Sequence, residues 1–445
     1  MSVPAVTGGA PHRGVVTPAQ ARGGTDVRRL TRLRQRSRQS AAIILFAATA
    51  AQTVLAQDWP QWRGPSRDGA VASFATPPVW PDQLKLKWKV KVGTGHSSPV
   101  VSGGRVYLHA RDGEEEFVRA FDLATGRQLW QDSYPVAYQM HPAARGHGKG
   151  PKSTPVIADG RLYTLGITGV LSCYDLRGGR LRWRKETARQ FDNALPNFGF
   201  AASPVVDRGL LIIHLGSNDR GALTAFNAET GEEKWRWAGD EPSYASPIVV
   251  EFAGVRQVIV PTRKLIVGVA VETGALLWQI PYPSMVGPNA VTPVVYKQTL
   301  VYSGESRGTT AVKVVKRGRA WGTEVVWHNA DVAMYMNSPV VGGEFVFGLS
   351  HKNRGQFFCL DAHTGKTLWA SAGRTGENAA ILKAGDALLL LTDDGHLTVA
   401  RMTHRGYEPL KHYQVADSAT WAHPAVIKNR ILIKDIEHLA LWGLS

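Results

Sequence analysis

The sequence predicts an all-β fold, an eight-bladed β-propeller built from four-stranded antiparallel blades. Two short signals recur along the chain with a period of roughly 40 to 55 residues, which is typical of propeller blades. One signal is a turn motif that ends in tryptophan, and the other is a Ser/Thr-Pro step that starts a strand. Each unit therefore contains two hairpins, the second closed by a Thr-Gly turn, and forms one blade.

The turn motif places a small residue, an Asp or Asn, a Thr-Gly pair and a tryptophan at fixed spacing. Full copies span residues 120–130, 225–235 and 359–369, the copy at 173–183 changes one position, and the copy ending at Trp278 keeps only its second half. Glycine suits a turn position with positive φ, and Asp or Asn accepts hydrogen bonds from the N–H groups of the turn. The tryptophan supplies a large flat surface for packing.

The Ser/Thr-Pro step marks the first strand of each unit. Proline is tolerated at the start of a strand, because no ladder hydrogen bond is lost there. A weaker copy begins at His423, and the copy at Asn378 lacks the proline, so the chain has eight strand starts in all. The six full copies begin at Ser98, Thr154, Ser203, Ser246, Thr292 and Ser338.

The motif Ala-x-Asp-x-x-Thr-Gly-x-x-x-Trp resembles the tryptophan-docking motif of the pyrroloquinoline-quinone (PQQ) repeat family, the quinoprotein-like propellers. The resemblance extends from about Trp88 to the C-terminus. It implies that each tryptophan stacks on the glycine turn of the next blade. The copies at Trp327 and Leu410 depart from the pattern, so their blades are expected to be the least regular. The predicted docking residues are Trp88, Trp130, Trp183, Trp235, Trp278, Trp327 and Trp369.

The propeller is predicted to span residues 84–445 and to close between its two ends. Residues 84–90 alternate apolar residues with lysine, as in a strand with one buried face. The last unit, residues 424–444, has only three strands, so the N-terminal strand is expected to complete the last blade. Residues 57–83 are expected to pack on the propeller, with Trp59 and Trp62 against its outside or one end.

The N-terminal region resembles a leader for export. Residues 28–56 combine an arginine-rich start, an apolar run and small residues before Ala56, which is typical of a signal peptide cleaved near that residue. Residues 1–27 are expected to be disordered or to precede the true start. No cysteine follows the apolar run, so a periplasmic or extracellular protein that is not a lipoprotein is expected. No stretch is long and apolar enough to predict a membrane span.

Charge and cysteine content narrow the possible functions. Of the formal net charge of +16, about seven charges lie in residues 1–40, and no basic run with interleaved aromatic residues follows, which argues against nucleic-acid binding.

The two cysteines, Cys173 and Cys359, occupy the same motif position in the second and sixth blades. Opposite blades are much farther apart than a disulfide allows, so both thiols are expected to be free and buried.

The loops that lead into the Ser/Thr-Pro strands, here called the leading loops, carry the chemically varied residues. Loops at one end of a rigid propeller are the default binding surface. The longest, residues 134–152, is either a solvated insertion or a lip that binds an anion or a partner. No catalytic or metal-binding residue is predicted. The candidate binding residues are His96, His141, Arg145, His147, Lys152, Asn197, Phe198, Tyr244, Asn289, Tyr335, Asn337, Trp421 and His423.

Two functions remain open. The first is a non-catalytic binding or scaffolding propeller without a cofactor, similar to BamB-like envelope proteins and expected to be a monomer that holds another envelope protein or an extracellular ligand. The alternative is an alcohol or sugar dehydrogenase that uses PQQ with Ca²⁺. Ca²⁺ requires converging oxygen ligands. The candidate carboxylates match no dehydrogenase spacing; they are Asp240, Glu241, Asp331, Glu377 and Asp417. The adjacent-cysteine pair and the haem motif of those enzymes are also missing from the sequence.

Overall fold

The computed structural model describes residues 14, 58–71, 74–283 and 287–444. The described residues from 58 onward form the propeller and the segment that precedes it. The predicted signal peptide, residues 28–56, lies outside the described residues. Within the described part of the chain, no helix is long and apolar enough to cross a membrane.

Eight antiparallel sheets form the blades, as predicted, and the first four follow the chain in order. Two strands precede them: β1 (Ala70–Val71) and β2 (Lys85–Lys91). Blade 1 comprises β3 (Val100–Ser102), β4 (Arg105–Asp112), β5 (Glu115–Asp122) and β6 (Gln128–Pro135). Blade 2 comprises β7 (Val156–Ala158), β8 (Arg161–Leu165), β9 (Val170–Asp175) and β10 (Leu181–Glu186). Blade 3 comprises β11 (Val205–Asp207), β12 (Leu210–Gly216), β13 (Gly221–Asn227) and β14 (Glu233–Trp237). Blade 4 comprises β15 (Ile248–Phe252), β16 (Val255–Pro261), β17 (Leu265–Ala270) and β18 (Leu276–Pro281).

The remaining four blades include the two that the N-terminal strands join. Blade 5 comprises β19 (Val294–Tyr296), β20 (Thr299–Ser303), β21 (Thr309–Arg317) and β22 (Ala320–Asn329). Blade 6 comprises β23 (Val340–Gly342), β24 (Phe345–Ser350), β25 (Gln356–Asp361) and β26 (Thr367–Ala370). Blade 7 comprises β27 (Ala379–Ala384), β28 (Ala387–Thr392), β29 (His396–Arg401) and β30 (Pro409–Gln414). Blade 8 comprises β31 (Ala425–Ile427), β32 (Arg430–Lys434) and β33 (His438–Gly443). Short 3₁₀ helices span Pro142–His147, Thr187–Phe191 and Lys352–Arg354.

The N-terminal strand closes the ring, as the sequence predicted. β2 pairs antiparallel with β33, so it is the fourth, outer strand of blade 8. Because the first and last blade segments share one sheet, the ring leaves no unpaired gap between its ends. β1 adds to blade 7 as a parallel partner of β27, a strand that the sequence did not predict.

A chain of hydrogen bonds between blades explains the recurring Ser/Thr residue. In blades 1 to 5, the backbone N–H of this residue donates to the hydroxyl of its counterpart in the next blade, at 2.9–3.1 Å. These residues are buried at the start of the inner strands, which contact one another around the channel. The Ser/Thr-Pro steps therefore link neighbouring blades as well as starting strands.

The tryptophans dock on the glycine turns of the following blades. A Cβ on Gly126, which has a φ of +74°, would lie 2.7 Å from a ring atom of Trp88, so only glycine fits beneath the indole. The indole N–H of Trp88 also donates to the Leu123 carbonyl of the same turn, at 3.1 Å. The other pairs in close contact are Trp130 with Gly179, Trp183 with Gly231, Trp235 with Gly274, and Trp327 with Gly365.

Trp278 departs from this arrangement. Its indole N–H donates to Gln257 of its own blade at 2.7 Å, and its ring lies against Gly268. The next blade offers no Thr-Gly turn, because β21 and β22 are longer and reverse at Gly318. Trp327, whose blade was expected to be irregular, nevertheless docks on Gly365. The irregularity of blade 5 is thus in its outer hairpin.

The two cysteines are free and buried, as predicted. Cys173 pairs with Trp183 across β9 and β10, and Cys359 pairs with Trp369 across β25 and β26. Both thiols occupy the position that Ala120 holds opposite its own tryptophan. A small side chain is required there, because the indole lies across the neighbouring strand.

Replacing Trp235 with alanine should destabilise the protein strongly. Its ring is 9% exposed, contacts Gly274, and donates to the Val271 carbonyl at 2.8 Å. We expect a loss of about 3–5 kcal/mol in the free energy of unfolding, as for large aromatic side chains in cores. Urea denaturation measures this loss. Trp321→Ala, on the outer hairpin of blade 5, should cost less, and near-native stability of Trp235→Ala would contradict the docking role.

Candidate functional site

A cavity of about 220 Å³ opens where the leading loops converge at the mouth of the channel. Eight of the thirteen candidate residues line it, together with the Ser/Thr hydroxyls of the inner strands. Antiparallel blades bring these loops together, since every first strand starts at the same end of the propeller. The eight residues are His96, His147, Lys152, Phe198, Tyr244, Tyr335, Trp421 and His423.

One wall of the cavity is a chain of ring contacts. The ring of His147 lies edge-on to Trp421 at 4.9 Å and to Phe198 at 5.7 Å, measured between centroids. Phe198 in turn meets Tyr244 edge-on at 5.5 Å. The Tyr244 hydroxyl accepts the backbone N–H of Phe198 at 3.1 Å, which joins the leading loops of blades 3 and 4. This wall presents flat, polarisable surface toward the cavity.

Three histidines at the cavity are neutral at physiological pH. Burial, with the nearby charges of Lys152 and Lys434, lowers the pKa of His96 to about 3. Burial and the charge of Arg63 lower the pKa of His423 to about 3. Burial also lowers the pKa of His147. Their rings therefore contribute polar but uncharged surface.

Lys152 is the cation of the cavity lining. Its ammonium group donates to the Phe198 carbonyl at 3.0 Å and is mostly buried. Burial lowers its pKa to about 8, which leaves it largely protonated at neutral pH. No Asp or Glu side chain lines the cavity among the residues that the structure describes. The site is therefore cationic.

Residues 58–71, here called the channel segment, lie within the ring of inner strands. Trp59 forms an antiparallel bridge with Val101 of blade 1, and Gly69 accepts a hydrogen bond from Lys383 of blade 7 at 2.8 Å. Trp62 lines the cavity, with its ring 5.3 Å from that of His423. Trp59 and Trp62 thus pack inside the channel rather than on the outside of the propeller.

Two arginines of the channel segment lie behind Trp62. Arg63 and Arg67 place their guanidinium carbons 5.5 and 5.6 Å from the centroid of the Trp62 ring. Arg67 donates to the carbonyls of Ser203 and Pro204 in blade 3, at 2.9 and 2.8 Å. Sequence analysis missed both arginines, and the only signal was their position beside two tryptophans before the first blade.

Five candidate residues lie away from the cavity lining. His141 and Arg145 are exposed on and beside the Pro142–His147 turn of helix. Asn197 accepts a hydrogen bond from Asn218 at 2.7 Å. Asn289 is buried and donates to the carbonyls of Thr262 and Tyr282, and Asn337 accepts the N–H of Leu349. Asn289 thus holds backbone at two strand ends, and Asn337 binds the backbone of β24.

The residues present do not match a Ca²⁺ site for PQQ chemistry. No group of three or more His, Cys, Asp or Glu side chains could hold a metal within the described ranges. Asp240 and Glu241, two of the candidate carboxylates, are buried and occupied by Thr262 and Lys264. Among the described residues, the cavity lining holds hydroxyl and amide oxygens but no carboxylate, a ligand type typical of Ca²⁺ sites.

The blades, their docking tryptophans and the channel-mouth cavity define a quinoprotein-like propeller. The sequence profile of the family described as outer membrane protein assembly factor BamB matches residues 79–137 and 114–371, and the chain belongs to this family. BamB of Shewanella oneidensis is 26% identical over 302 residues, covering 64% of this chain and 72% of that protein.

Solved structures share the fold. The crystal structure of BamB from Moraxella catarrhalis has a TM-score of 0.58 at 15% identity and covers 81% of this chain and 99% of that chain. Quinohemoprotein alcohol dehydrogenase from Comamonas testosteroni has a TM-score of 0.65 at 15% identity, covering 92% and 84% of the two chains. The propeller architecture is therefore shared with a BamB and with a quinohemoprotein alcohol dehydrogenase.

The neutral His423 should make stability depend on pH. Its native pKa of about 3 lies below that of an exposed histidine, so the unfolded state binds more protons and stability falls as pH decreases from about 6.5 toward 3. Between pH 7 and 5 this one residue should cost at most about 2 kcal/mol. Urea denaturation of His423→Gln should show a shallower loss, whereas His141→Gln, an exposed position, should match the parent. Parallel curves for His423→Gln and the parent would contradict a buried neutral ring.

Proposed function

We propose that this chain is an exported, non-catalytic binding or scaffolding propeller whose leading-loop face holds a partner or ligand. The observation that carries the proposal is the convergence of Lys152, Phe198, Tyr244, Tyr335 and Trp421 from separate loops around one cavity. A concave site lined by aromatic side chains with a few polar groups is typical of binding sites. The rigid ring of blades would hold these residues in place before binding.

Export is part of the proposal. The arginine-rich and apolar pattern of residues 28–56 supports cleavage near Ala56 and a periplasmic or extracellular location. The name of the BamB relatives, outer membrane protein assembly factor, supports an envelope protein as the partner. In this proposal residues 57–83 pack with the propeller of residues 84–445, and the protein acts as a monomer.

A PQQ-dependent dehydrogenase is the weaker alternative. Its support is the fold shared with a quinohemoprotein alcohol dehydrogenase. Fold alone does not define function, because unrelated activities occur on the same architecture. The cationic lining of the cavity, with Lys152, and the buried arginines behind Trp62 favour binding without the Ca²⁺ that this chemistry uses.

Site-specific photocrosslinking in cells that export the protein tests the binding face. A benzophenone side chain at Arg145, exposed on the longest leading loop, should trap one discrete partner. The matched control is Arg180, an exposed arginine on a Gly-Gly turn at the opposite end of the propeller. We expect at least a several-fold greater yield of the adduct from position 145. Adducts from position 180 alone would contradict the proposal.

A further inference from the structure

We infer that the channel-mouth cavity binds a small organic anion, a carboxylate or phosphate carried on a ring, with Lys152 as the anchor of its charged group. The inference rests on the proposed binding function and names the chemistry of its ligand. It follows from three features of the cavity: positive charge without an ion-pair partner among the described residues, hydroxyl and ammonium hydrogen-bond donors, and flat aromatic walls.

Positive charge accumulates around the channel, and the carboxylates that act on it, such as Glu116 on Lys152 and Asp68 on Arg63, lie beyond ion-pair distance in the described structure. Arg63, Arg67, Lys152 and Lys434 are all largely or fully buried, and none forms an ion pair within 4 Å among the described residues. Lys434 donates to four backbone carbonyls, including those of Gly93 and Gly95. A buried cation is costly unless an opposite charge compensates it. A bound anion would offset this excess.

Arg63 and Arg67 show most clearly that buried positive charge and donor groups lack partners in the described structure. Nε and Nη1 of Arg63 and Nε of Arg67 are buried without a hydrogen-bond partner in the described structure. Burial lowers the pKa of Arg63 to about 10, although the nearby charge of Asp68 raises it. Burial and the charge of Arg63 lower the pKa of Arg67 to about 9. Both stay protonated at neutral pH. Because they lie behind Trp62, they act on a cavity ligand through their field rather than by contact.

The inner-strand hydroxyls add donors to the site. Thr154, Ser203, Ser246 and Ser338 line the cavity, and each hydroxyl oxygen accepts a backbone N–H from the preceding blade. A hydroxyl that accepts in this way keeps its own proton for donation. Together with the ammonium group of Lys152, these O–H groups suit the several lone pairs of a carboxylate or phosphate.

The walls suit the ring that would carry the anion. Phe198, Tyr244, Tyr335 and Trp421 present aromatic surface, and the His147 ring between Trp421 and Phe198 continues it. Packing a flat ring against such surface is favourable and requires little reordering of the side chains. The cavity therefore combines a charged anchor with an apolar platform. This combination favours an organic anion over inorganic phosphate.

Calorimetric titration of the mature protein with benzoate, phenyl phosphate and neutral benzamide tests the inference. At least one of the two anions should bind, and benzamide should bind at least tenfold more weakly. Lys152→Met should weaken anion binding at least tenfold, and Lys152→Arg should restore most of it because the charge is kept. Thermal melts establish that each variant is folded.

The control variant is Lys149→Met, in the same loop. Lys149 is exposed, lies outside the cavity lining and is 3.6 Å from Glu114, so its loss removes one charge without touching the site. It should leave anion binding unchanged. Equal binding of benzamide and benzoate, equal losses in the two lysine variants, or no binding of either anion would overturn the inference. The crosslinking experiment at position 145 does not involve the anion. It therefore tests the proposed binding function separately from this inference.

Discussion

The structure depends on one contact, the packing of a tryptophan ring on a turn that has no Cβ. In the pair Trp88 and Gly126, the indole occupies the space that a side chain at position 126 would need. Its N–H donates to the Leu123 carbonyl of the same turn. The Asp or Asn of the turn shapes it, as Asp122 does by accepting the N–H groups of Ala124 and Thr125. Because the contact joins neighbouring blades at five junctions within the described residues, it helps to set their spacing around the ring, and β2 closes that ring on β33.

The closed ring determines where the binding chemistry can lie. Each blade contributes one residue at the start of its inner strand, and in six blades this is a Ser or Thr. Blades 7 and 8 place Asn378 and His423 at that position, and both side chains line the cavity. The site thus combines these two departures from the repeat with the hydroxyls of the intact repeats and with leading-loop residues, on a framework that the blades hold rigid. The channel segment completes it with Trp62.

Sequence reasoning predicted the features that are encoded locally and repeated. The blade count and the free cysteines follow from the recurrence of the motifs along the chain, the closing strand follows from the incomplete last unit, and the structure agrees. Trp278 differs because its partner turn belongs to a blade with a longer hairpin, which the motif does not reveal. The channel segment could not be predicted, since Arg67 meets Pro204 at a separation of 137 residues. Eight candidate residues converge at the cavity because they share leading loops, whereas Asn289 and Asn337 support backbone.

The central proposal is that the propeller binds a partner or ligand and does not catalyse oxidation. The cavity lining carries hydroxyl donors and the charge of Lys152, and among the described residues it contains no carboxylate of the kind typical of Ca²⁺ sites. The most direct test is to incubate the purified mature protein with PQQ and Ca²⁺ and to measure dye reduction with a panel of alcohols and sugars. The account predicts no substrate-dependent reduction above that of a protein-free control. Saturable turnover that requires both PQQ and Ca²⁺ would contradict it.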